Sequence, residues 1–194
     1  EKDLGVWKAY TWQDYWDAAE RIGMGLIALG MERGEVVSIL SEDRKEWLYI
    51  DLGTVCAGGI TSGVYTTDSA DQLAYLVSDS GSKFLFVEND EQLDKFLSTR
   101  AKMPSLVKVI VFDRDGLRDF SDPQVIFLDD LYALGAAERE RQPARFAAEI
   151  EKNGPTEVEV DFESNTHKSE LSAKFDGGEL KVETEEEPRD GDSD

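Results

Sequence analysis

The residues best placed for chemistry lie in Ser38–Trp47, which has the sequence SILSEDRKEW. An apolar run typical of a buried strand ends there in the polar turn Ser41-Glu42-Asp43, and a helix is predicted to begin at once. Ligands of open α/β sheets bind where parallel strands end in this way. The alternative interpretation is that Ser41 or Asp43 only caps the helix and that the turn has no further role.

The remaining nucleophilic and titratable groups give no catalytic constellation. Cys56 is the only cysteine and His167 the only histidine, so a disulfide, a histidine-based triad and a multi-histidine metal site are all excluded within this sequence. Cys56 lies in an apolar helical run and is expected to be a buried, inert thiol. The paired carboxylates Asp129-Asp130 and Glu185–Glu187 are interpreted as helix caps or solvated surface. We therefore predict no catalytic, cofactor-binding or metal-binding residue.

Two glycine-rich stretches resemble nucleotide-binding loops only superficially. Gly23, Gly25 and Gly30 fall inside a predicted helix, without the preceding strand and spacing of a dinucleotide fingerprint. The second stretch, at 53–63, has no following Gly-Lys-Ser/Thr and is not a Walker loop; its glycines are Gly53, Gly58, Gly59 and Gly63. We interpret both stretches as places where helices pack closely on a sheet.

Strands and helices are predicted to alternate along most of the chain. Apolar runs predict strands at 36–40, 60–65, 83–87, 106–112 and 125–128. Helical periodicity predicts helices at 11–31, 44–58, 69–80, 91–100 and 129–150, the last with a break near Pro143. This alternation is typical of βαβ units, so the fold class is α/β, with a mostly parallel sheet between two layers of helices.

The pattern changes after the turn Asn153-Gly154-Pro155, where we place a domain boundary. From residue 156 to 183 apolar residues alternate with acidic ones, which predicts a small antiparallel meander with a hairpin turn at 176–178. An amphipathic helix at 169–175 is the alternative. Residues 184–194 combine acidic residues with Pro and Gly and lack apolar residues, so they are expected to be disordered.

The charge balance limits the possible partners. The 194 residues have a net charge of −21, and fourteen acidic against four basic residues place −10 of it in 156–194. Nucleic acid and anionic membranes would be repelled. The sequence contains neither a run of about 18 apolar residues that could span a membrane nor a recognisable signal peptide. A cytoplasmic protein is expected, although the first residue, Glu1, leaves room for a longer native N-terminus.

Residues 34–87 carry a resemblance to a known family. Gly63–Thr67 (GVYTT), Glu46-Trp47 after the first strand, and the segment from 72 to 86 resemble the N-terminal region of the AMP-forming acyl-CoA synthetases, in particular the long-chain fatty acid branch. Trp7, Tyr10, Thr11 and Trp12 also fit the start of that region. The resemblance covers roughly residues 1–155 and depends on extended similarity, not on a catalytic signature.

The resemblance implies an enzyme that uses ATP, Mg²⁺ and coenzyme A to convert a fatty acid into an acyl-adenylate and then into an acyl-CoA. It also implies a phosphate loop after residue 154, where this chain has GPTEV at 154–158 and the glycine-free Ser164-Asn165-Thr166. Glycine-poor backbone cannot approach phosphate closely. No functional residue of the family can be placed on this sequence, so we expect the chain alone to bind these cofactors poorly and to be inactive.

Three interpretations remain open at this point. The chain could be part of a long-chain fatty acid–CoA ligase, a short non-catalytic binding protein with an acidic module, or a different α/β enzyme on a similar scaffold. If it is an incomplete lobe, uncovered sheet surface would favour self-association.

Overall fold

A parallel five-stranded sheet lies at the centre of the first part of the chain. The computed structural model describes residues 2–3, 6–153, 157–163, 167–176 and 179–188. Its strands are β1 (Lys2–Asp3), β2 (Val6–Trp7), β3 (Val36–Leu40), β4 (Ile60–Val64), β5 (Phe84–Val87), β6 (Lys108–Val111), β7 (Val125–Phe127), β8 (Glu157–Glu163), β9 (His167–Asp176) and β10 (Glu179–Pro188). The sheet has the order β4-β3-β5-β6-β7, with every neighbouring pair parallel.

Helices cover both faces of this sheet, so the predicted α/β class is confirmed. They are α1 (Trp12–Ala28), α2 (Lys45–Cys56), α3 (Ala70–Asp79), α4 (Asp90–Thr99), α5 (Leu128–Arg141) and α6 (Arg145–Glu151). One face packs on α1, α2, α5 and α6, and the other packs on α3 and α4. No helix among the described residues has the length and apolar character needed to cross a bilayer.

The alternation of side chains along each strand produces two hydrophobic cores. In β5, Phe84 and Phe86 face the α1 and α2 layer, whereas Leu85 and Val87 face the α3 and α4 layer. All four side chains are fully buried. A strand buried on both faces has no need of polar residues, which explains its continuous apolar sequence.

Local side-chain hydrogen bonds begin α1 and α3 where the sequence predicts. The Thr11 hydroxyl accepts from the Asp14 backbone N–H at 3.1 Å, and the Asp14 carboxylate accepts from the Thr11 backbone N–H at 2.8 Å. Ser69 and Gln72 form the same reciprocal capping box at α3. The alternative that Ser41 or Asp43 caps α2 is wrong, because the N-cap residue of α2 is Arg44 and no side chain caps this helix. The predicted break near Pro143 separates α5 from α6.

The glycine-rich stretches pack helix against helix, which corrects the expected helix–sheet contact. A Cβ atom on Gly53 of α2 would lie 2.5 Å from the Ala19 carbonyl oxygen of α1, and one on Gly23 would lie 2.6 Å from the Gly53 carbonyl oxygen. Gly30 and Gly58 instead adopt positive φ angles in the turns after α1 and α2. The predicted close packing is real, but the sequence pattern does not identify the partner element.

The second unit, Asn153–Asp194, contains an antiparallel sheet in the order β10-β9-β8. The alternative of a helix at 169–175 is therefore wrong, because these residues lie in β9. The expected disorder from residue 184 is also wrong as far as Pro188, because β10 pairs with β9 along its whole length, up to Pro188↔His167. Residues 189–194, the turn glycines at 177–178 and the segments 154–156 and 164–166 lie outside the described residues.

Candidate functional site

The strand order places a crevice between the carboxyl ends of β3 and β5. The chain passes from β3 outward to β4 and then returns across β3 to β5. Connections therefore leave β3 and β5 in opposite directions, and in doubly wound sheets this divergence is the usual ligand position. The turn Ser41-Glu42-Asp43, singled out from the sequence, follows β3 and forms one side of the crevice.

The carboxylate of Glu88, the first residue after β5, occupies this crevice. Its Oε2 accepts a hydrogen bond from the Glu42 backbone N–H at 2.8 Å. The Ser41 hydroxyl lies 3.4 Å from the same oxygen and 2.9 Å from the Glu42 carbonyl oxygen, so its one proton is shared between these two acceptors. These donors are of the kind that would bind an anionic ligand at a strand end. The protein therefore satisfies them with its own carboxylate, and an external anion would have to displace Glu88.

Arg44 connects the loops that follow three strands. Its guanidinium donates to both carboxylate oxygens of Asp113, at 2.7 and 3.2 Å, and to Glu88 at 3.4 Å and Glu46 at 3.1 Å. It also lies over the Phe112 ring, 5.6 Å from the centroid. The hydrogen bond to Asp113 is the main cause that raises the pKa of Arg44 above its ordinary value. Arg44 is thus a permanent cation that holds together the loops at the carboxyl ends of these strands. We call this end of the sheet the carboxyl edge.

An open cleft lies on the other side of β3, at the ends of β3 and β4. It has a volume of about 400 Å³ and is lined by the turn at 41–43, by Trp47 and by the β4 end at 63–66. The Thr66 hydroxyl donates to the Glu42 carboxylate across the cleft. Lys95 donates to the Thr66 and Asp68 carbonyl oxygens, at 2.6 and 2.9 Å, which fixes the loop after β4.

A second depression, which we call the aromatic groove, lies between the first turns of α1 and α2. It has a volume of about 500 Å³, and its lining includes Tyr10, Trp12, Tyr15, Leu48 and Tyr49. The rings form a chain, with centroids 6.1 Å apart for Trp12 and Tyr15 and 5.4 Å apart for Tyr15 and Tyr49. Three of the four residues that carry the family resemblance at the chain start lie here.

The other residues noted in the sequence have structural roles or lie outside the described side chains. Cys56 is half-buried, and this burial raises the pKa of its thiol, so the neutral form is favoured. Asp130 accepts from the Phe127 backbone N–H at 3.0 Å and from Arg114, as a helix-capping carboxylate does. The structure describes only the backbone at His167 and at 185–187.

The carboxyl edge contains hydroxyls and carboxylates, and the guanidinium of Arg44 there is already paired with carboxylates. No metal-binding group of three or more His, Cys, Asp or Glu occurs among the described residues. Glu88, Arg44 and Asp113 were not predicted from the sequence as functional residues. The available signal was that Glu88 and Asp113 each follow an apolar strand, one residue after Val87 and two after Val111.

Comparison with known proteins gives concordant results. A sequence model of the family described as AMP-binding enzyme matches residues 3–158. The long-chain-fatty-acid–CoA ligase ACSBG1 of Rattus norvegicus is 30% identical over 129 residues, 66% of this chain and 18% of that protein. ACSBG2 of the same organism is 37% identical over 105 residues, 54% of this chain and 16% of that protein. The chain thus spans less than a fifth of the length of these relatives.

Solved structures show the same fold. The anthranilate CoA ligase AuaEII, in complex with anthranoyl-AMP, matches with a TM-score of 0.55 and 26% identity over 62% of this chain and 21% of its own. The A domain of carboxylic acid reductase from Segniliparus rugosus matches with a TM-score of 0.58 and 18% identity, over 67% of this chain and 23% of its own. Since the family model covers most of the sequence, this chain belongs to the AMP-binding enzyme family.

Proposed function

We propose that this chain is the N-terminal α/β part of a long-chain fatty acid–CoA ligase. The observation that carries the proposal is its 30% identity to ACSBG1 over 129 residues, which amount to 66% of this chain. In the complete enzyme, a carboxylate oxygen of the fatty acid would attack the α-phosphorus of ATP and release pyrophosphate. The thiol of coenzyme A would then attack the acyl carbon and release AMP.

The first unit would act in such an enzyme as a scaffold. Its parallel sheet brings the loops after β3, β4, β5 and β6 to a single edge, and Arg44 fixes three of these loops together. An edge held in this way can support later segments that contact the substrates. The cleft beside Trp47 and the aromatic groove are two surfaces at this end of the sheet that are open for such contacts.

The chain alone is proposed to be inactive, and the charges at the carboxyl edge support this. Glu42, Glu88 and Asp113 surround the crevice, and the guanidinium of Arg44 is already shared between two of these carboxylates. A nucleoside triphosphate with its Mg²⁺ needs free cations or several free backbone N–H groups around its phosphates. Glu88 already accepts from the Glu42 backbone N–H in the crevice between β3 and β5. The 194 residues also contain no glycine-rich phosphate loop.

A short binding protein is the second candidate. The match to the family model ends at residue 158, whereas the chain continues through β9 and β10 as an acidic antiparallel sheet. A segment that departs from the family pattern could serve an interaction and not catalysis. A cytoplasmic location and self-association through uncovered sheet surface remain predictions under either proposal.

Turnover by the purified chain tests the proposed inactivity. The chain is incubated with ATP, Mg²⁺, palmitate and coenzyme A, and pyrophosphate and palmitoyl-CoA are measured against a complete long-chain ligase as positive control. We expect neither product above the enzyme-free blank, and no rise in the unfolding temperature with Mg·ATP. Product formation that scales with the concentration of the chain would refute the inactivity.

A further inference from the structure

The outer edge of β4 presents backbone groups without a partner strand among the described strands. The Ile60 N–H donates to the Glu35 carbonyl oxygen on the β3 side at 2.9 Å. Because backbone groups point to opposite sides at successive residues of a strand, the N–H and C=O groups of Thr61 and Gly63 point away from β3. In the sheet order, β4 is terminal and pairs with β3 alone.

This edge lacks the features that normally prevent strand addition. The sequence of β4 is ITSGV, with neither a proline nor a charged residue, and the Ile60 side chain is 53% exposed. The opposite edge, β7, has only three residues and follows Pro123, whose carbonyl oxygen accepts from Lys108. Proteins usually protect edges with short strands, lysine or proline, so β4 is open by comparison.

The open cleft beside Trp47 lies at the carboxyl end of this edge, and we call it the acidic cleft because Glu42 and Asp43 line it. A Cβ atom on Gly63 would lie 3.6 Å from the Trp47 ring, so the indole lies directly beside the strand. Glu42 and Asp43 line the same cleft, and the whole chain carries a net charge of −21. An aromatic ring next to carboxylates favours a cationic side chain through cation–π and charge interactions.

We propose that β4 accepts an added strand from an extended, basic polypeptide segment. The backbone of that segment pairs with Thr61 and Gly63, and a lysine or arginine side chain of the segment enters the cleft beside Trp47. The free edge of β4 and the acidic cleft are separate observations, and both favour an extended, basic segment as the ligand. The proposal does not depend on ligase activity, since it concerns the outer edge of the sheet.

Proline substitutions separate this role from a general effect on the fold. Thr61→Pro and Gly63→Pro each remove an outward N–H and leave the β3–β4 ladder intact, because proline is tolerated where a strand N–H faces solvent. Ser62→Pro is the matched control for the ladder itself, since its N–H points toward β3. We expect Ser62→Pro to lower the unfolding temperature and the other two variants to change it little.

Binding is measured with a short synthetic peptide that alternates valine with lysine, followed by amide hydrogen exchange at single-residue resolution. The wild-type chain should bind the peptide, and the Thr61 and Gly63 amides should exchange at least about tenfold more slowly when the peptide is saturating. Each outward proline variant should weaken binding by about fivefold or more, the value expected for one lost hydrogen bond. Added salt should weaken binding as well.

Several results would overturn the proposal. One is unchanged exchange at Thr61 and Gly63 with millimolar peptide. A second is equal binding of a peptide with glutamate in place of lysine. A third is binding that both outward proline variants retain in full. A stable dimer that either outward proline variant dissociates would also overturn it, because the edge would then pair with a second copy.

Discussion

Replacing Arg44 with methionine should destabilise the carboxyl edge of the sheet. The substitution keeps most of the side-chain volume but removes the hydrogen bonds to Asp113, Glu88 and Glu46. The Arg44 side chain is only 22% exposed and that of Glu88 16%, whereas that of Asp113 is 42% exposed, so solvent screens the contact with Glu88 incompletely and the contact with Asp113 more strongly. Hydrogen bonds to charged groups contribute about 1.5–3 kcal/mol each when shielded and exposed pairs about 0.2–1, so we expect a loss of about 3 kcal/mol.

This loss corresponds to a measurable shift in thermal unfolding. One kcal/mol lowers the unfolding temperature of a chain of this size by about 2–4 °C, so Arg44→Met should lower it by about 6–12 °C. Circular dichroism during heating, with urea unfolding as an independent measure, gives both quantities. The reduction should appear in the cooperative transition of the α/β unit.

Arg114→Met is the matched control. Arg114 also contacts one carboxylate, Asp130, and lies over a ring, that of Phe127, but both partners of the ion pair are 51% exposed. Its loss should cost about 0.5 kcal/mol, as for other exposed pairs. If Arg44→Met and Arg114→Met lowered the unfolding temperature equally, the assigned role of Arg44 in joining three loops would be refuted.

Three further predictions concern the packing, the charges and the helix start. Gly53→Ala should destabilise the chain by about 2–3 kcal/mol because its Cβ would meet backbone, whereas Gly63→Ala should be nearly neutral, and urea unfolding distinguishes them. The hydrogen bond from Lys152 is the largest cause that lowers the pKa of Glu149. The ionised Glu149 carboxylate therefore stabilises the fold at neutral pH, and this stabilisation is lost as the pH falls through the lowered pKa. Glu149→Gln should therefore be less stable than wild type near neutrality and equal to it in acid. Thr11→Ala should lower the free energy of unfolding in urea by about 1 kcal/mol, because it removes the cap that Asp14 completes.

The fold follows from the sequence because its elements are specified locally. Apolar runs flanked by polar turns specify the strands, and the reciprocal bonds of Thr11 with Asp14 define the start of α1. The partners of functional interest are not local. Glu88 lies 47 residues from Ser41, and Asp113 lies 69 residues from Arg44. Only the strand order brings these residues together, and no periodicity encodes it.

Two of the corrections have the same origin in tertiary pairing. The glycines of α1 and α2 do indicate close packing, but a small residue fits another helix as well as a sheet, so the sequence alone does not choose. The acidic segment from residue 184 has a composition typical of disorder. Its first residues nevertheless pair in register with β9, including Glu187 opposite Lys168, and that pairing extends the strand beyond the expected end.

This chain is proposed to be one part of a longer ligase. The most direct test is the intact mass of the protein as its native source produces it, detected through a peptide that contains Trp47. We expect a product several-fold heavier than the 21.7 kDa of these 194 residues. A product of 21.7 kDa would contradict the claim and would favour the short binding protein.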